Sequence, residues 1–303
     1  MKPRKTPTRQ REPRNRQTFR YAIDMLNNVP VQSLTHRDLT IEGYSRAAVQ
    51  TYWRIPELKL GFDLGAQPWA FMGTPTWFVS HTHLDHIAAL PVYIARRRMM
   101  KMEPPTIYLS EHALEPVQQM MHAFTRLDRG RLPCQLEVIE PGDEISVSRE
   151  LVVTVCRVRH TIPALGFVVW ERRHKLRPEY ADLSGEQIRD LRKSGTDITE
   201  ERRIARLAYT GDTAPRGLDE NPDFFKAQVL ITEVTFVDPD HRRDMIHKLG
   251  HIHLDDIIER RDQFQNELVV ASHFSTRYHP NQIRHHVQQS LPDMLDGRLH
   301  LWI

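Results

Sequence analysis

Residues 80–91 read SHTHLDHIAALP, which sets three histidines and one aspartate within the six positions from His81 to His86. A folded interior has no reason to gather that many lone-pair donors, because burying them without a cation is costly. Whatever this chain folds into must bring a cation to this point. In an extended segment His81 and His83 fall on one side, and Asp85 with His86 follow as the chain enters a helical stretch. Four donors from six residues crowd a single tetrahedral ion. A later stretch, GHIHLDD at 250–256, looks like an echo, but Asp256 stands where a final histidine would be needed.

The apolar runs show where further donors come from. TWFVS (76–80), LVVTVCRV (151–158), LGFVVW (165–170), RLAYT (206–210), QVLITEV (228–234) and LVVAS (268–272) are β-prone. Helical candidates lie between them at about 86–101, 111–127, 185–194, 253–265 and 280–290. Pro91 sits early in the first of these, where proline is tolerated. Five strands end in a metal-competent side chain: His81, His160, Asp212, Glu233 and His273. Buried strands of one α/β sheet would align such ends along a common rim. That predicts one site and one domain, since a break anywhere from 86 to 273 would divide the site. Taken singly, a histidine at a strand end is an ordinary surface residue, and the GD of YTGDT an ordinary turn. Their order, each after a strand, gives them weight. Setting Glu233 aside, His160, Asp212 and His273 raise the donors to seven, which suits two metals bridged by a carboxylate and a water. Asp212 is the candidate bridge. Nitrogen and oxygen donors leave zinc, manganese and iron open.

Composition removes some alternatives. The chain has 303 residues, 42 Lys+Arg and 39 Asp+Glu. Eight of the bases and one acid, Glu12, lie in the first 20 residues, leaving 34 against 38 in the body. The basic balance thus belongs to the amino-terminal stretch, and residues 1–18 read as a disordered basic tail. That stretch has no apolar segment behind it and does not read as a secretory signal. No apolar run approaches the roughly 20 residues that span a bilayer. Cys134 and Cys156 are the only cysteines, without CxxC spacing, so a reducing cytoplasm is the expected home.

HxHxDH followed by His, GD and His resembles the pattern of the metallo-β-lactamase superfamily. The flanks IEGYSRAA, HTIPALGF, AYTGDT, TEVTF, GHIHLDD and SHFSTRY are similar to ribonuclease Z, the endonuclease family that trims the 3′ trailer from precursor tRNA. The similarity runs from about residue 41 to 283, and KLRPEYADLSGEQIRDLRKSGTDIT is most similar to the short plant-type branch. The resemblance implies an αββα sandwich of two mixed β-sheets with helices on both outer faces. It implies two zinc ions, with manganese or iron as substitutes: one held by His81, His83 and His160, the second by Asp85, His86 and His273, with Asp212 bridging. A metal-activated hydroxide would attack the phosphodiester, with Asp85 orienting or deprotonating the water. Glu233 matches the family's HEAT motif, whose leading histidine is Thr232 here. His251 matches the first residue of its HST motif, whose threonine is His253 here. His251 paired with Glu233 would protonate the leaving 3′ oxygen. Ser275 and Arg277 would contact phosphate, and a homodimer is implied. His253 reads instead as part of a helix amino-terminal loop.

Between 171 and 205 the chain is expected to leave the sheet and return. Ser184 with Gln187 resembles a capping box and Gly195 a helix stop. The family resemblance makes this a short tRNA-binding arm inserted in a single 19–303 domain. Arg172, Arg173, Lys175, Arg177, Arg189, Arg192 and Lys193 would meet phosphates there. A metallo-β-lactamase-fold hydrolase of small esters or phosphodiesters is the alternative, and would not need that excursion. A silent metal-stabilised RNA-binding protein is a third, and His251 with Glu233 speak against it.

Overall fold

The computed structural model describes residues 29–303. The expected tail at 1–18 lies outside the described residues. Seven strands form a first mixed sheet in chain order: β1 (Gln32–His36), β2 (Leu39–Arg46), β3 (Gln50–Ile55), β4 (Leu60–Phe62), β5 (Thr76–Phe78), β6 (Thr106–Ser110) and β7 (Gln135–Ile139). A second sheet of seven comprises β8 (Glu144–Ser146), β9 (Leu151–Arg157), β10 (Leu165–Leu176), β11 (Thr199–Tyr209), β12 (Val229–Glu233), β13 (Leu268–Ser272) and β14 (Leu299–Leu301). β2 alternates buried and half-buried positions, as a strand with one covered face must. Every residue of β12 is buried, because it runs parallel between β11 and β13 with both faces covered.

Large side chains fill the space between the sheets. Phe62 of the first stacks on Phe167 of the second, with ring centroids 5.8 Å apart, and Trp53 meets Trp302 at 5.1 Å. Outside the first sheet lie α1 (Leu84–Ile87), α2 (Leu90–Met99) and α3 (Glu111–Asp128), packing Leu90, Ile94 and Val117 around Trp77. Against the second sheet lie α7 (Leu254–Glu259) and α8 (Pro280–Ser290), through Ile257, Ile283 and Val287. This is the expected αββα sandwich.

Two expectations need correction. The five donor-bearing strands do not share one sheet: β5 is in the first, and β9, β11, β12 and β13 are in the second. β9 runs antiparallel to β10 and β10 to β11, so β9 and β11–β13 all point the same way. The end of β5 meets them across the sandwich, where the Leu165 N–H donates to the Ser80 carbonyl at 2.8 Å. The rim is therefore built from two sheets.

Nor does the chain leave the sheet at 170. β10 and β11 continue as a two-stranded ribbon, paired from Glu171↔Ile204 to Leu176↔Thr199 beyond a register shift at Val169/Trp170. α4 (Gly185–Lys193) closes its tip with the expected capping box from Ser184 and Gln187, and Gly195 follows at φ 81°. α5 (Pro215–Asp219) and α6 (Arg243–Lys248) complete the named helices. β10 runs away from the rim that carries the donors, so α4 sits at the far end of the strands. Arg173 pairs with Glu171, and Arg177 with Asp197 at 3.0 Å. The stretch 171–205 holds nine Lys/Arg against eight Asp/Glu, so it is close to neutral.

Candidate metal centre

All seven donors converge at the rim. His81 Nε2 and His160 Nε2 each lie 3.1 Å from His83 Nδ1. A few ångströms away, His86 Nε2 and His273 Nε2 are 3.4 Å apart, and Asp85 Oδ2 lies 3.8 and 3.6 Å from them. Asp212 stands between the two groups, with Oδ1 3.5 Å from His86 and Oδ2 3.4 Å from His273 and 3.8 Å from His81. Ligands about 2.0–2.1 Å from one tetrahedral ion are separated by about 3.3 Å, and these edges cluster around that length. Burial would raise the Asp212 pKa, but the imidazoles of His273 and His86 hold it well below the usual carboxylate range.

The groups behind the donors decide which nitrogens are bare. His160 Nδ1–H donates to the Gly250 carbonyl at 2.9 Å, and His86 Nδ1–H to Asp63 Oδ2 at 2.8 Å. The Thr235 hydroxyl donates to Glu233, so at 3.1 Å it accepts from His273 Nδ1–H. The Ser80 hydroxyl donates to Asp63, so at 3.0 Å it accepts from His81 Nδ1–H. The Nε2 atoms of His81, His86, His160 and His273 therefore point lone pairs into the cluster. Facing lone pairs at 3.4 Å repel each other unless a cation lies between them. The donor set fits a divalent metal, with its rings oriented as metal-bound histidines are.

Asp63 went unnoticed in the sequence. It is fully buried, adopts φ 57°, and accepts from the Ser80 N–H and O–H, His86 and the Tyr209 hydroxyl. The signal was available, since Asp63 follows β4 as the other donors follow their strands. His273 also has a left-handed φ, 59°, which is uncommon outside glycine and is held here by its surroundings. Asp63→Asn should leave the fold in place but weaken metal affinity about 10–100-fold. Competition against a chelator measures that loss, and unchanged affinity would reduce Asp63 to a packing residue.

Glu233, at the end of β12, is buried and accepts from the Thr213 N–H at 2.7 Å and the Ile252 N–H at 3.2 Å. His251 Nδ1 lies 3.0 and 3.1 Å from its two oxygens. Burial would lower the His251 pKa, but the Glu233 carboxylate outweighs it and raises it to about 9. The His251 ring stands 5.0 Å from that of His160 and 5.8 Å from that of His273, centroid to centroid.

The echo motif thus divides in two. His253 caps α7: its Nδ1 accepts from the Asp255 N–H, its Nε2–H donates to the Asp238 carbonyl, and Asp256 takes its backbone N–H. Asp256 also pairs with Arg243 and His247. His253→Thr keeps a capping oxygen but loses the bond to Asp238 and the packing of a buried ring. Turnover should stay within about twofold and stability fall by about 1–3 kcal/mol, read by steady-state rates and thermal unfolding. A large rate loss would put His253 in the chemistry.

A cleft of about 730 Å³ opens over the cluster, lined among others by His83, Asp85, Asp212, Thr235 and His251. Ser275 and Arg277 line it, while Arg189, Arg192 and Lys193 on α4 do not.

The sequence profile of the "Beta-lactamase superfamily domain" matches residues 76–274. The chain is 36% identical over 265 residues to tRNase Z TRZ1 of Arabidopsis thaliana, covering 86% of this chain and 93% of that one. It is 35% identical over 246 residues to the chloroplastic tRNase Z TRZ2 of the same plant, covering 80% and 70%. Among solved structures, the metallo-beta-lactamase fold protein YhfI from Bacillus subtilis aligns with a TM-score of 0.59 at 13% identity, over 86% of this chain and 92% of that one. Human tRNase Z, short form, aligns at 0.50 and 17% identity, over 83% and 92%. These two bear on the fold alone. With all seven donors inside the matched domain, and a relative matched over nearly its whole length, the chain belongs to the beta-lactamase superfamily and, within it, to the tRNase Z family.

Proposed function

We propose that this chain is an endoribonuclease that removes the 3′ trailer from precursor tRNA and works with two divalent ions. Zinc suits the donors, and manganese or iron could replace it. His81, His83 and His160 would hold one ion and Asp85, His86 and His273 the other, with Asp212 shared between them. Bound there, the ions would supply an activated water and neutralise phosphate charge. The other tasks fall to side chains. Asp85 is kept ionised, its pKa lowered to about 2 against burial by the neighbouring His273 and His86. It accepts the Ala48 N–H at 2.9 Å and orients water over the cleft. His251, steadied by Glu233, gives a proton to the leaving 3′ oxygen. The Ser275 hydroxyl accepts the Arg277 N–H at 3.3 Å and keeps its own proton for a phosphate oxygen.

The Glu233–His251 pair carries this reading. A site that only stored metal would need no acid backed by its own buried carboxylate. Incubation with a trailer-bearing precursor tRNA tests it. A single cut that releases the trailer and is stopped by a chelator is expected. Hydrolysis of small phosphodiesters with the RNA left whole would favour the small-substrate alternative instead. The two cysteines are unpaired, which supports a reducing, cytoplasmic setting, and among the described residues no helix is long and apolar enough to cross a membrane. The homodimer is carried over from the family resemblance, and light scattering tests it.

The ribbon and α4 are the proposed tRNA-binding arm, lying remote from the rim. Its charge is near neutral, and Lys175, Arg192 and Lys193 have no ion-pair partner among the described residues, while Arg189 only approaches Asp190 at 3.8 Å; these four are the proposed phosphate contacts. Deleting 175–195 should raise KM for precursor tRNA several-fold, about three- to ten-fold, and leave a small phosphodiester untouched, since uniform binding is lost and not the chemical step. Equal losses on both substrates would make the segment structural.

A further inference from the structure

Twelve large apolar side chains are exposed among the described residues, and three of them stand on the wall of the metal cleft: Val49, Leu84 and Leu249. Leu84 is 74% exposed and the other two 50% each. Each is fixed in place by the cluster's own backbone. Leu84 lies between His83 and Asp85. Val49 follows Ala48, whose N–H binds Asp85. Leu249 precedes Gly250, whose carbonyl holds His160. Neighbouring Cα atoms are about 3.8 Å apart, so every member of this lip sits one residue from a donor or from a backbone group that holds one.

A polar residue would suit each of these wet positions, yet the sequence places leucine or valine. The occupant must therefore put an anionic group over the cluster and apolar faces within one nucleoside's reach of it. Building on the function proposed above, we infer that these three residues clamp the two nucleobases flanking the scissile phosphate. Leu249 is two residues from His251, the acid for the 3′ oxygen, so it takes the base on the tRNA side. Leu84 and Val49, on the wall carrying Asp85, take the first base of the trailer. Apolar side chains accept any base by its face, so the clamp positions the strand without reading its sequence.

The test uses the metal-loaded full chain and precursor tRNA carrying an abasic nucleotide on one or other side of the cut. Wild type should lose about ten-fold in kcat/KM for either abasic site, as expected when a stacked base is removed. Leu249→Ser should lose a similar factor on the natural substrate and lose nothing more when the tRNA-side base is absent, while still responding to the trailer side. Leu84→Ser should show the reverse. Leu249→Met and Leu84→Met should restore wild-type behaviour, which separates apolar contact from a fault in folding. As a readout without turnover, 2-aminopurine at either position should change its emission on binding to the metal-free chain, and the matching serine variant should abolish that change. A wild type that cuts the natural substrate but is indifferent to base removal overturns the clamp. So does a serine variant that dissociates a dimer while keeping full base sensitivity, which would assign the lip to a subunit contact. A wild type that cuts no precursor tRNA instead removes the function proposed above.

Discussion

Asp212→Ala is expected to lose at least one metal ion per chain and nearly all turnover. Its carboxylate stands between the two histidine sets, with one oxygen 3.5 Å from His86 and the other 3.4 Å from His273 and 3.8 Å from His81. Alanine removes the carboxylate between the two sets, from a site where neighbouring imidazoles hold it firmly ionised. Metal stabilisation of transition-state charge is worth several kcal/mol, and each 1.4 kcal/mol is tenfold in rate, so the loss should be about 10³-fold or more. Metal analysis, turnover and circular dichroism on the same preparation separate this from unfolding. A variant holding one tight ion with full turnover would end the two-metal reading.

The donors were legible in the sequence because each follows a strand, and strand ends are local facts. Which sheet a strand joins is not local. β5 and β11 look alike as apolar runs, and only long-range pairing puts them on opposite sides of the sandwich. The ribbon was hidden for another reason. Residues 171–176 (ERRHKL) and 199–204 (TEERRI) carry charge where a buried strand would carry apolar side chains. They pair through the backbone ladder, and the opposed Arg173↔Arg202 and Arg172↔Arg203 are offset by Glu171, Glu200 and Glu201. Those pairs run along one strand, while Lys175 faces Glu200 across the ribbon and Arg172 reaches Glu201 at 3.8 Å; cross-strand pairs of opposite charge stabilise a solvated ribbon without leaving a hydrophobic pattern. β1 and β2 escaped because polar residues alternate with their apolar ones, and β4 because it is only three residues long, and Asp63 was missed with it. His251 and Glu233 are 18 positions apart, and their partnership came from family resemblance, since no spacing rule joins a strand end to a loop that packs over it.

His251→Ala should lower kcat on precursor tRNA about 10²–10⁴-fold, the usual worth of a general acid, while both metals stay bound. Glu233 holds Nδ1 of the ring, so the transferable proton is the one on Nε2. The carboxylate also raises the His251 pKa to about 9, so in the free protein the ring carries its proton at neutral pH and loses it as the pH rises through that value. Bound cations act in the opposite sense and move that limb to lower pH. Wild type should therefore lose activity on its alkaline side, and His251→Ala should lack the limb that belongs to this group. A nitrophenyl phosphodiester, whose leaving group departs as a stable anion, needs no proton and should be cut by the variant at close to the wild-type rate. The contrast between substrates is the decisive quantity, because a folding or metal defect would slow both alike. His251 also lies close enough to share an ion with His160 and Asp212, or with Glu233 and His273. If metal analysis finds an ion missing in His251→Ala, and both substrates slow together, His251 is a ligand and the proton must come from elsewhere.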